Sequence, residues 1–218
     1  MNLLPWRLRN ALSERFPLGY HLAVNMFRRV RSEAYWDERL AQSWDLRTWP
    51  TKNEIVAGLT SPDQIILDIA CGNGSILRDL KARGYRHLHG LEISRYAVSR
   101  LEAEGLAMHH GSIPELPLPD AYCDAVIASQ VLEHVIRRDR FAQEIGRVLK
   151  PGGSALVFVP NDCLGPIDEP EHVIKYTEES LRSFLGRHFD IISVQAIKDA
   201  NHPMSILFAH VRAPARKV

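Results

Sequence analysis

The chain has 218 residues, 45% of them apolar, and 27 Lys and Arg against 26 Asp and Glu, for a net charge of +1. That length and apolar share suit one ordinary domain with a true core, and near-neutrality argues against charge-driven binding to DNA. No run approaches the roughly 18 apolar residues of a membrane span, no long apolar leader opens the chain, and the three cysteines, Cys71, Cys123 and Cys163, lack metal spacing and fit reduced thiols in a cytoplasmic protein.

Residues 1–31 carry six arginines, Arg7, Arg9, Arg15, Arg28, Arg29 and Arg31, against one acid, Glu14. Leu4, Leu8, Leu12 and Phe16 recur every four residues as a helical stripe, and Val24, Phe27 and Val30 suggest a second short helix. Two readings stand: a helical cap packed on the domain, or a basic amphipathic segment for a membrane surface or an acidic partner. Ala34 to Trp49 is aromatic-rich, with Tyr35, Trp36, Trp44 and Trp49 as lid or core. Residues 1–50 are therefore expected to form a helical cap or lid, and residues 51–218 the main domain.

From Ser61 onward strand and helix alternate. Strands are expected at Ile65–Ile69, His87–Leu91, Ala107–His110, Ala125–Ser129 and Ala155–Val159. Helices are expected at Ser75–Arg83, Arg95–Glu104 and Phe141–Leu149. Such alternation implies a parallel sheet with helices on both faces. Thr177 opens a further helix with a cap followed by Glu178 and Glu179. Phe189–Ile197 and Met204–Val211 then read as an antiparallel hairpin across a polar turn.

Ile66 to Ser75 reads as a buried strand, a tight turn with Gly72 and Gly74, and a helix start. The next strand ends at Glu92, eighteen residues beyond Gly74, near the roughly 20 expected of a ribose-binding acid. Asp68 stands inside the turn segment, and a third glycine is missing from its usual place. Both features argue against a pyrophosphate and hence against a nicotinamide dinucleotide.

Leu67-Asp68-Ile69-Ala70-Cys71-Gly72-Asn73-Gly74 resembles the D-x-x-C-G-x-G motif of class I S-adenosylmethionine-dependent methyltransferases, closest to the type 11 group that includes ubiquinone and menaquinone biosynthesis enzymes. Glu92, the run Cys123 to Val135 and the run Arg147 to Gly153 match further motifs in family order. The resemblance covers about Ile65 to Pro160. It implies a Rossmann-like α/β fold, with a mostly parallel seven-stranded sheet, a C-terminal antiparallel hairpin and S-adenosyl-L-methionine as cofactor.

The resemblance also assigns roles. Asp68 would bind the methionyl amino group, Gly72 and Gly74 would let backbone pass under the ligand, and Glu92 would accept from both ribose hydroxyls. Ile93 would pack on the adenine. Ser112 stands where the family usually has an acid, a weaker acceptor for the adenine amino group, and Ile113 would offer its amide. Carbonyls at Ser129 and Gln130 would meet the methionyl end. Glu133 and His134, read as opening a helix, would be mainly structural support.

Cys163 to Tyr176 is long, polar and proline-punctuated, suited to the pocket mouth. His172 and Tyr176, four apart, would share a face if helical, and are the catalytic candidates. His172 would take a proton from the acceptor, or else cap the Thr177 helix. The implied reaction is in-line methyl transfer to an oxygen, nitrogen or carbon nucleophile of a small molecule, chiefly by alignment. It needs no metal, and no His-x-x-x-His or paired-cysteine cluster is present. A lipid-linked or RNA acceptor, or a silent binding module, are the alternatives.

Overall fold

The computed structural model describes residues 5–25, 32–46, 48–161, 169, 171–198 and 205–214. Its centre is a seven-stranded sheet in the order β3-β2-β1-β4-β5-β7-β6. The strands are β1 (Ile65–Ile69), β2 (His87–Glu92), β3 (Ala107–His110), β4 (Cys123–Ser129), β5 (Leu149–Pro160), β6 (Asp190–Lys198) and β7 (Ser205–Arg212). The first five run parallel to one another, and β7 runs antiparallel to both β5 and β6. The expected seven strands and reversed hairpin are therefore present. The turn between β6 and β7 lies outside the described residues.

Strand β1 shows why the sheet is covered on both faces. Successive side chains point to opposite sides, and both sides of β1 are apolar. Ile66 joins a core layer with Val56, Leu77, Leu80 and Leu101. Leu67 and Ile69 join the other layer, with Phe141, Ile145, Leu181 and Phe184. The first layer is closed by α4 (Pro50–Leu59), α5 (Ser75–Ala82) and α6 (Arg95–Ala103), the second by α7 (Arg138–Val148) and α8 (Glu178–Leu185). Near-continuous apolar strands are the signature of a sheet buried this way.

Helix α8 begins as its sequence predicts. The Thr177 side chain accepts from the Ser180 amide, and the Ser180 hydroxyl accepts from the Thr177 amide, a reciprocal cap. His172 takes no part in it.

Ahead of the sheet lie α1 (Trp6–Arg15), α2 (Pro17–Asn25) and α3 (Glu33–Ser43). The apolar stripe expected on the first helix does not turn inward: Leu8 is 46% exposed and Phe16 61%. Arg28, Arg29, Arg31, Phe27 and Val30 lie outside the described residues. Helix α3 is fastened at the N-terminus of α6, where Asp37 Oδ1 accepts from the Ser94 hydroxyl at 2.6 Å and the Tyr96 amide at 3.1 Å.

Candidate cofactor and acceptor site

The strand order reverses between β1 and β4, which lie side by side. Ligands of open α/β sheets bind beyond the carboxyl ends of the strands at such a point. A cavity of about 800 Å³ opens there. Asp68, Gly72, Glu92, Ile93, Ser112, Ile113 and Ser129 all line it, as does His172.

The loop after β1 has the backbone its glycines suggest. Ala70, Gly72 and Gly74 all take positive φ, at 53°, 57° and 71°. At Gly72 this points the amide at Glu92, whose Oε2 accepts it at 2.9 Å. Glu92 Oε1 accepts from the amides of Ile93 at 2.8 Å and Ser94 at 3.0 Å. Three backbone donors thus fix this carboxylate at the cavity wall. Gly74 serves a different end from the one expected. It does not line the cavity, and a Cβ there would come within 2.5 Å of Leu101. Its role is close packing of the loop on α6.

Asp68, next to last in β1, is 2% exposed, and its Oδ1 has no hydrogen-bond partner. Burial, then repulsion from Glu92, pushes its pKa up to about 8, against the pull of Lys52. Glu133 is 1% exposed, has neither oxygen hydrogen-bonded, and is pushed by burial to about 8, again against Lys52. Burial also drives the Cys71 thiol well up, as suits an inert thiol rather than a nucleophile.

Lys52, on α4, is fully buried. Its Nζ donates to Ser129 Oγ at 3.0 Å and sits 3.4 Å from the Trp49 ring centroid. The sequence carries no signal for it beyond a lysine in a short helix. Burial holds Asp68 and Glu133 protonated near neutral pH, and a positively charged ligand would let them ionise, so the wall favours such a ligand.

The other end of the cavity is built by Trp36, His134, Glu171 and His172. Leu132–His134 is a single 3-10 turn, and the helix follows only at Arg138; the expectation that Glu133 and His134 open a helix is corrected. The Val173 amide donates to the Glu133 carbonyl at 2.7 Å. The His134 ring meets His172 edge-on at 4.6 Å and Trp36 at 5.6 Å. Glu171 is bound by the Tyr35 hydroxyl and by Arg39, and Arg39 lies 3.7 Å from Glu169. Burial works against the Glu171 carboxylate, but the Tyr35 hydroxyl, a backbone N–H and Arg39 outweigh it and hold its pKa below the usual range. From α2, the buried His21 ring donates to the His172 carbonyl at 2.9 Å.

Tyr176 is not brought to this site. Residues 172–175 are not helical, so a spacing of four does not place two side chains on one face. Tyr176 is 1% exposed in the core, receives a hydrogen bond from Arg138 at 3.3 Å, and is pushed by burial to about 12. Cys163 to Asp168 and Pro170 lie outside the described residues.

A methyltransferase-domain family model matches residues 67–157. The uncharacterized methyltransferase YdaC of Bacillus subtilis is 30% identical over 163 residues, 71% of this chain and 85% of that protein. The chain belongs to the class I S-adenosylmethionine-dependent methyltransferases. A probable S-adenosylmethionine-dependent methyltransferase of Mycolicibacterium smegmatis is 40% identical over 98 residues, 44% of this chain but only 38% of its own length. A chain from the complex between the Haloferax volcanii Trm112 methyltransferase activator and a methyltransferase superposes with a TM-score of 0.72. At 20% identity, covering 84% of this chain and 96% of that one, it supports the fold alone.

The cofactor of this methyltransferase is S-adenosylmethionine, and the cavity fits it. The bare Asp68 Oδ1 would suit a methionyl ammonium, and Glu92, at the end of the neighbouring strand, would suit ribose hydroxyls. Ile93, Ile113 and the exposed Ser112 line the same cavity.

Proposed function

We propose that this methyltransferase transfers a methyl group to a small-molecule nucleophile held between Trp36, His134 and His172. The observation that carries this reading is one continuous cavity reaching from Glu92 to His172. S-adenosylmethionine supplies a methyl group already activated by a sulfonium charge. The protein's own residues then have three tasks. Asp68, Glu92 and the Gly72 loop hold the cofactor, α3 with Glu169 and Glu171 excludes water, and His172 takes the proton of an acceptor hydroxyl or amine. Alignment is the larger contribution, and a well-placed base adds about 10²–10⁴-fold.

The test is incubation of the full chain with methyl-labelled cofactor and separated small-molecule, RNA and protein fractions. Label in the small-molecule fraction is the expected result. Label only in RNA or protein would overturn the reading.

A second reading, a membrane-borne acceptor, is favoured by the surface of α1 and α2. Trp6, Leu8, Phe16, Leu18 and Leu22 are 40–63% exposed there, on helices that carry Arg7, Arg9 and Arg15. Apolar residues flanked by cations suit an anionic lipid surface. Trp6→Asp with Phe16→Asp should then abolish co-sedimentation with anionic vesicles. Equal sedimentation of the variant and the parent would dismiss this reading.

A further inference from the structure

Three ligand-type side chains meet at the acceptor end of the cavity. One atom from each of Glu133, His134 and His172 lies within 4.8 Å of the other two, and all three residues line the cavity. We propose that they bind one divalent first-row transition-metal cation, of the class of Mn²⁺, Co²⁺ or Zn²⁺, with open coordination positions facing the acceptor.

Glu133 supplies the first independent observation. It is 1% exposed, and neither oxygen has a hydrogen-bond partner. Lys52 Nζ donates to Ser129 Oγ and acts on Glu133 through its charge. A buried carboxylate left bare in this way is costly unless a cation completes it.

The second observation is the tautomer of His134. Its Nδ1 lies 3.3 Å from the Glu171 carbonyl oxygen, which can only accept. Nδ1 therefore carries the hydrogen, and the lone pair stays on Nε2. Metal-binding histidines are typically oriented by such a carbonyl.

The segments that carry the ligands are also fastened together. The Val173 amide holds the Glu133 carbonyl, and the His21 ring holds the His172 carbonyl. Ligand atoms of one bound ion stand roughly 3–3.5 Å apart, so modest side-chain rotation closes the set. Two imidazoles and one carboxylate select a transition metal over Mg²⁺ or Ca²⁺, and leave positions for exogenous ligands.

The consequence for chemistry rests on the proposed acceptor position. An acceptor hydroxyl bound to the cation would lose its proton to water at lower pH. The methyl would then move from sulfonium sulfur to that oxygen, leaving the neutral thioether. With the cation bound, His172 acts as a ligand rather than as the base.

Cation binding can be measured without any acceptor. The full chain, free of a polyhistidine tag and stripped with chelator, would be titrated with Co²⁺ by visible absorption and with Mn²⁺ by paramagnetic resonance. One bound equivalent is expected, weakened at least tenfold in His134→Ala, His172→Ala and Glu133→Gln, with S-adenosylmethionine binding kept in the two histidine variants. His134→Asn or His172→Asn replaces any alanine variant that fails to bind cofactor. Absence of a bound equivalent, or a loss under tenfold in two of the three positions, overturns the proposal. Neither result depends on which fraction takes the labelled methyl, so failure of this site and failure of the acceptor reading are separately visible.

Discussion

The amide of Gly72 donates to Glu92 Oε2 over 2.9 Å, tying the glycine loop after β1 to the end of β2. The bond explains why a positive φ at residue 72 and an acid at residue 92 belong to one device. The loop turns the carboxylate toward the cavity, and the carboxylate keeps the loop in its left-handed turn. Removing the acid would therefore cost loop order and, on the proposed role of Glu92, a ribose contact as well. Glu92→Ala should weaken S-adenosylmethionine binding by about 10–100-fold, because hydrogen bonds to a charged group contribute about 1.5–3 kcal/mol. Calorimetric titration checks this, and a loss under threefold would remove Glu92 from the cofactor site.

Asp68 predicts a proton count. With its pKa pushed up to about 8, it is neutral in the cofactor-free protein at pH 6.5. A cationic ligand favours the carboxylate, so binding at that pH should release about one proton, and binding at pH 9.5 close to none. Titration in buffers of different ionisation enthalpy reads the number directly. The sign for stability is also fixed. The folded pKa lies above the ordinary 3.8, so the folded state retains a proton that the unfolded state gives up. This group's contribution is then fullest below pH 4 and declines toward pH 8, by about 1.4 kcal/mol per unit at most. Asp68→Asn should flatten that slope, and an unchanged slope would contradict the assignment.

Much of the fold was legible because strands and cofactor motifs are local patterns. β1 to β3 are short runs bounded by turns, and Thr177 with Ser180 is a cap written within four residues. Asp68 and Glu92 were expected near strand ends, and both line the cavity there. The acceptor end was not legible in the same way. Glu133 and His172 come from segments 39 residues apart, and no periodicity joins them. His172 lines the cavity, but it was singled out for a helical spacing its segment does not have, and the same argument misplaced Tyr176. Lys52 left no trace, since its burial depends on Trp49, Ser129 and the acids across the sheet.

Lys52 predicts the largest loss of stability in the molecule's centre. It is fully buried and lowers the pKa of both Asp68 and Glu133. Lys52→Met keeps the length of the side chain and removes the charge. Breaking a buried charge set by deleting one partner costs about 3–5 kcal/mol, which for a domain of this size is roughly 6–20 °C in Tm. Above pH 8, where Asp68 is ionised, adding Asp68→Asn to Lys52→Met should recover part of that loss, because one uncompensated carboxylate then disappears. A double variant as unstable as the sum of both singles would show that the two groups do not interact.

Tyr35, Arg39 and Glu171 join α3 to the segment that carries His172. Glu171 is 2% exposed, and its partners reach it from helix α3 on the far side of the cavity mouth. The three groups form a latch, so their energies should not add. In a double-mutant cycle, Tyr35→Phe and Glu171→Gln should show a coupling of about 0.5–3 kcal/mol in stability. Opening the latch should also free residues 171–173 and α3 together. Hydrogen exchange in Arg39→Met should therefore rise in both segments, while β1 and β2 keep their protection. If exchange rises in α3 alone, the two segments are held independently, and the latch does not close the cavity.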